Sequence, residues 1–181
     1  MTEISLHILD IAQNSVKAKA RNIGIDIFED IDNDVFKVVI SDDGSGMDEE
    51  FLKNVTDPFK TTRTTRKVGM GLSLFKTAAE VTGGSFGITS KLGVGTVVTA
   101  EFVHSSIDRQ PLGDMASTIT TLIGSDESID YKYTHTYNGN EFTFDTVMIR
   151  EVMQGVSLTT PEVILWIEEY INEGLKSITE V

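Results

Sequence analysis

Ser41-Asp42-Asp43-Gly44-Ser45-Gly46-Met47 follows an apolar run, Val35 to Ile40, and the fold turns on how these residues are read. The run predicts a strand with Val38, Val39 and Ile40 buried. Two acids and two glycines then stop it. Glycines one residue apart permit positive φ and let a ligand approach the main chain closely. An aspartate at the end of a buried strand is costly unless something hydrogen-bonds to it. The pattern also occurs in ordinary turns, so its meaning rests on the segments around it.

Upstream, Ile4, Ile8, Ile11, Ala12, Val16 and Ala20 recur at helical period. His7, Asp10, Asn14 and Lys17 then share another face, three or four residues apart. A solvated face is the plain reading of that row. Asn14 argues for more, because asparagine in mid-helix competes with the backbone for hydrogen bonds. Ile23, Ile25 and Ile27 alternate with polar residues and predict a strand, with the acidic stretch Glu29 to Asp34 as its turn. A helix followed by two strands suggests an antiparallel pair covered by that helix.

Downstream, residues 48 to 55 predict a short helix, and Asp57-Pro58-Phe59 a fixed turn. Arg63, Arg66 and Lys67 lie among four threonines, a basic cluster against the trend of the chain that suits an anion such as phosphate. Val68-Gly69-Met70-Gly71-Leu72 opens an apolar-periodic helix through Phe75 and Ala79. Exposed N–H groups at a helix start, with the dipole behind them, favour phosphate. The chain has no Walker-type loop. Gly83-Gly84 ends the helix, and strands 85–90 and 96–103 flank Gly93-Val94-Gly95.

Composition narrows the classes. The 181 residues fit one domain, or one with a sizeable appendage, and 40% hydrophobic content supports a core. A net charge of −13 argues against nucleic acid or an anionic membrane as main partner. With no cysteine, disulfides, iron–sulfur ligation and thiol catalysis are excluded, as expected of a cytoplasmic chain. Neither a transmembrane run nor a signal-peptide layout is present.

After His104 no motif with chemistry appears. Residues 111–123 predict a helix, and Asn138-Gly139 a hairpin between strands 131–137 and 141–146. A helix over 147–153 follows. A last helix starts at Thr159-Thr160-Pro161-Glu162 with capping-box spacing. It is expected to bury Val163, Trp166, Ile167, Tyr170 and Ile171, and Trp166 and the tyrosines read as core.

Taken in order, five segments resemble the motif set of the GHKL ATPases, the superfamily of sensor histidine kinases, gyrase-type topoisomerases, MutL proteins and ninety-kilodalton heat-shock chaperones. The N box resembles Asp10 to Ala18 and the G1 box Asp42-x-Gly44-x-Gly46. The F box is similar to Asp57-Pro58-Phe59, the G2 box to Gly69-x-Gly71-Leu72, and the G3 turn to Gly93-Val94-Gly95-Thr96. The resemblance covers residues 4 to 103. It implies an α/β two-layer sandwich of the Bergerat type, a mixed sheet with helices on one face. Residues 1–104 would form the ATP-binding domain and 105–181 a small α+β module.

By the same resemblance, Asp42 accepts a hydrogen bond from the adenine amino group, with Thr96 in support through water. Gly44 and Gly46 shape that turn, and Ala18 and Met47 line the base pocket. Asn14 would hold Mg²⁺ through its carbonyl oxygen. Lys17, Arg63 and the backbone of Gly69, Met70, Gly71 and Leu72 would meet the phosphates of ATP. Phe59 and Thr62 would join them around a short lid, Lys60 to Val68. Histidine kinases carry Asn four residues before the metal Asn, and hydrolytic members carry Glu; this chain has Asp10. Asp10 is therefore expected either to act as a general base or to orient metal-bound water. The Asn14–Lys17 spacing and short lid resemble the kinases, whereas Asn14-Ser15-Val16 resembles MutL. No helical hairpin bearing an acceptor histidine is visible, and His7 lacks the usual acidic neighbour. Two roles stay open: phosphate transfer to a His or Ser on a separate protein, or an ATP-gated switch or slow ATPase acting on a partner.

Overall fold

The structure, a computed structural model, describes residues 2–57 and 68–180, with the side chains of 68 and 69 left aside. Its elements in order are α1 (Ile4–Lys17), β1 (Asn22–Asp30), β2 (Val35–Asp42), α2 (Glu49–Asn54), α3 (Val68–Glu80), β3 (Ser85–Lys91) and β4 (Gly95–Val103). Then come α4 (Met115–Ser125), β5 (Asp130–Tyr137), β6 (Asn140–Asp145), α5 (Thr146–Met153) and α6 (Pro161–Thr179). Six strands make one mixed sheet in the order β3-β4-β2-β1-β5-β6. All neighbours are antiparallel except β1 and β5, which run parallel with Ile25 opposite Tyr133.

Period-two patterning selects the face that helices cover. Ile23, Ile25 and Ile27 of β1, Phe36, Val38 and Ile40 of β2, and Val98, Ala100 and Phe102 of β4 are buried. Tyr131, Tyr133 and Phe144 continue this layer into β5 and β6. Helices α1, α3, α4 and α6 supply Ile8, Phe75, Ile119 and Ile167 from above, and all belong to a single core. On the other face Asp26, Phe28 and Val97 stay exposed. The expected pair of strands under α1 is present, with Ile25 opposite Ile40.

Several element ends differ from the sequence expectation. Helix α1 stops at Lys17 instead of running to Ala20, because Lys19 turns left-handed (φ 58°) and Ala20 N–H donates to the Ser15 carbonyl. Helix α4 begins at Met115, capped by the Asp114 side chain, and not at Pro111. The carbonyls of Pro111 and Leu112 instead accept from the N–H groups of Ile4 and Ser5, at 2.9 and 2.7 Å. The Thr159–Glu162 capping box does not form. Thr160 is the N-cap without a side-chain bond, while the Thr159 hydroxyl pairs with that of Ser157. Trp166 and Tyr170 are not core but 38 and 39% exposed. They stack on one another with ring centroids 5.2 Å apart, and Tyr170 packs on Phe142 and Phe144 of β6, the last strand of the sheet. Among the described residues no further layer lies beyond this edge strand to cover them.

Candidate functional site

A cavity of about 610 Å³ opens between α1 and the ends of β2 and β4. Asn14, Lys17 and Ala18 of α1, Asp42, Gly46 and Met47 of the turn after β2, Leu72 of α3 and Thr96 of β4 all line it. Eight of the residues expected from sequence thus share one wall system. Gly44 contributes its backbone N–H, which donates to Asp42 Oδ1 at 2.9 Å. A Cβ on Gly44 would stand 2.9 Å from the carbonyl oxygen of Ala18, so only glycine lets this turn lie against the end of α1.

Asp42 does not wait for a ligand to satisfy it. Ser15 of α1 donates its hydroxyl to Asp42 Oδ2 at 2.5 Å. The carboxylate is therefore held on both oxygens, which answers the cost of placing it at a strand end. Behind it, Asp43 turns away and accepts from the Asn22 side chain and from the N–H groups of Arg21 and Asn22. These hydrogen bonds, the Asn22 side chain first, hold its carboxyl below the usual carboxylate range.

The turn is tied to the next hairpin as well. Ser45 N–H donates to Ala18 O, and Gly93 N–H to Ser45 O at 2.7 Å. Met47 N–H donates to Ser90 Oγ, which also pairs with Thr96 Oγ1 at 2.8 Å. Thr96 and Asp42 are direct partners across β2 and β4. The expected G3 turn thus meets the G1 turn across the cavity mouth.

Asp10 lies beside this cavity, not among its lining residues, and meets α3. A Cβ on Gly71 would fall 1.9 Å from Asp10 Oδ2, so the carboxylate rests against the first turns of α3. A negative group there is favoured by the helix dipole. Met70 is 56% exposed and outside the cavity lining. Gly69 lies within α3. The expectations for Phe59, Thr62, Arg63 and the lid fall outside the described residues. His7, placed by its spacing on the polar face, is instead buried against Phe75, with Nε2 2.9 Å from Gln110 Oε1. Burial lowers its pKa despite that bond.

The donor set fits a hard cation of the magnesium kind. Asn14 offers a neutral oxygen in the cavity, and among the described residues no three His, Asp or Glu side chains converge as a metal cage. Such an ion would be held chiefly by phosphate and water, which is how Mg²⁺ ordinarily binds. The sequence reading missed Ser15, Lys19, Ser45 and Phe51, which also line the cavity. Ser15 had one signal available: a polar residue on the apolar, core-facing side of α1.

A putative sensor protein of Shewanella frigidimarina is 32% identical over 103 residues, covering 56% of this chain and 16% of that protein. The histidine protein kinase DivJ of Caulobacter vibrioides is 29% identical over 96 residues, 51% of this chain and 16% of DivJ. The chain thus spans less than a fifth of these relatives. Among solved structures, the Aquifex aeolicus MutL ATPase domain complexed with ADP superposes with a TM-score of 0.54 at 12% identity, over 85% of this chain and 70% of that one. That likeness shows a shared Bergerat-type fold. Residues 2–106 match the family described as Histidine kinase-, DNA gyrase B-, and HSP90-like ATPase, and the chain belongs to it.

Proposed function

We propose that this domain binds Mg-ATP in the cavity under α1 and passes the terminal phosphoryl group to a His or Ser on a separate protein. The observation that carries the nucleotide reading is Asp42, a carboxylate in the cavity wall with both oxygens held by donors from the chain. Such a group accepts from the adenine amine and repels a keto oxygen. Lys17 meets phosphate charge on the same wall, and Asn14 would hold the Mg²⁺ that neutralises it. Asp10 stands one turn before Asn14, against α3, where it takes a proton from the attacking group or orients water. Relatives that are sensor histidine kinases support the kinase reading.

Transfer is tested with γ-labelled ATP and candidate partner proteins. Label on a partner in an acid-labile bond is expected for histidine, and an acid-stable bond for serine. A second reading, an ATP-gated switch, is favoured by the backbone bonds of Pro111 and Leu112 to the start of α1, which join the later residues to the helix that carries the site. ATP-dependent partner binding without labelling supports it and counts against transfer.

Binding itself should depend on Asp42. Asp42→Ala leaves the adenine amine unpaired, a loss of about 1–3 kcal/mol, or roughly tenfold to a hundredfold in affinity. Calorimetry showing parent-like ATP binding by this variant would remove the adenine assignment. The absence of cysteine suits a cytosolic setting, and among the described residues no helix is long and apolar enough to cross a membrane.

A further inference from the structure

Ser15 occupies an unusual position for a serine. It is 3% exposed in the last turn of α1, on the side facing the core, and it lines the cavity. A serine in a helix commonly returns its proton to a carbonyl one turn back. Here the proton goes to Asp42 Oδ2, 27 residues away, at the 2.5 Å separation expected of a hydroxyl on a charged oxygen. Gly44 N–H holds the other oxygen at 2.9 Å.

We propose that Ser15 is the positioning residue that makes this cavity selective for a base with an exocyclic amine. The inference rests on the reading of Asp42 as the base-recognition group. A hydroxyl has one proton, and that of Ser15 is spent on Asp42. An ionised carboxylate has none. The pair therefore presents only acceptor lone pairs to the cavity, and the carboxylate is held at two points against rotation. A ligand must bring an N–H to this edge. A six-amino purine does so, whereas a six-keto purine sets oxygen against oxygen, and an unpaired polar edge in a closed site discriminates strongly. Asp42 supplies the charge, and Ser15 keeps it pointing and acceptor-only. Without the hydroxyl, Oδ2 loses its donor, and the carboxylate is free to turn on its one remaining bond from Gly44 N–H. The penalty on a keto group then fades.

The test compares ATP with inosine triphosphate, which carries a keto oxygen in place of the amine, by calorimetry on the full chain. The parent should prefer ATP. Ser15→Ala should lose about tenfold in ATP affinity, the scale of one hydrogen bond to a charged group, while inosine triphosphate binds as before or better. Ser15→Thr, which restores a hydroxyl, should recover the preference. In the Asp42→Asn background, Ser15→Ala should leave the ratio of the two affinities unchanged. A Ser15→Ala protein that keeps the parent's ratio overturns the proposal, and so does one in which both nucleotides weaken equally alongside a lowered melting temperature. A parent that binds both triphosphates equally overturns the assignment of Asp42 to base recognition instead, so the two failures are told apart.

Discussion

A methyl group placed on Gly46 would stand 2.1 Å from the carbonyl oxygen of Lys91, in a backbone already at φ +69°. Left-handed conformation costs an ordinary residue about 1–2 kcal/mol, and a clash with backbone cannot be relieved by a side-chain turn. Gly46→Ala should therefore cost at least about 2 kcal/mol in chemical denaturation, and unchanged stability would show that the turn rearranges freely. Gly71 differs, because its added methyl meets the movable end of Asp10. Gly71→Ala should leave the fold nearly as stable but push the carboxylate back by about 1 Å or more, a displacement able to cost on the order of a hundredfold in rate. If Asp10 is the general base, Asp10→Asn and Gly71→Ala both slow ATP hydrolysis while ATP affinity holds. Hydrolysis unchanged in both, with transfer to a partner retained, would leave Asp10 only an orienting role.

At the scale of the element, α1 serves several surfaces at once. One row gives Asn14 and Lys17 to the cavity and Asp10 to α3, while the core row gives Ser15 to Asp42. At its start, His7 reaches Gln110 and packs on Phe75. Among the described residues its Nδ1 is buried without a hydrogen-bond partner. Burial, the largest influence, holds the folded imidazole below the free value of 6.5. As pH falls past 6.5 the unfolded chain takes up this proton before the folded one does, so stability present above that pH drains away below it. Urea midpoints measured from pH 7.5 to 5.5 should fall in the parent and fall less in His7→Phe, which keeps a ring against Phe75. Equal slopes would remove His7 from the pH response.

Across the whole molecule, the stretch after His104 does not hang from the sheet but completes it. Strand β5 lies parallel on β1, and α4 packs on α1. At the far end of β1, Glu29 accepts from His104 Nε2 at 2.9 Å and from His135 Nε2 at 2.7 Å. Tyr133 pairs with the other nitrogen of His135 at 2.8 Å. Burial opposes ionisation of Glu29, yet these two histidines hold its carboxyl below the usual range. Its contribution is thus present above pH 4.5 and lost as pH falls further. Ending the chain after residue 104 would leave one edge of β1 unpaired and remove Tyr131, Tyr133, Ile119 and Ile167 from the shared core. We expect the shortened chain to lose cooperative thermal unfolding, read by near-ultraviolet circular dichroism. A sharp transition near that of the parent would show that residues 1–104 stand alone.

Much of this was legible in the order of residues. Alternating isoleucines in β1, glycines after Asp42 and the period of α1 are local patterns, and backbone geometry converts them directly into strand, turn and helix. The period of α1 and the turn after β2 singled out Asn14, Lys17 and Asp42, and the resemblance to the GHKL motif set added Thr96. What the chain order could not contain is which distant groups meet. The Ser15 hydroxyl and Asp42 are 27 residues apart, and only the packing of α1 over β2 brings them to 2.5 Å. The burial of His7 and the exposure of Trp166 and Tyr170 were likewise settled by neighbours, by α3 and Gln110 in one case and by the end of the sheet at β6 in the other. Helical period assigns a residue to a face, but whether that face meets protein or water depends on how many layers the whole chain can build, and that is a property of the tertiary structure alone.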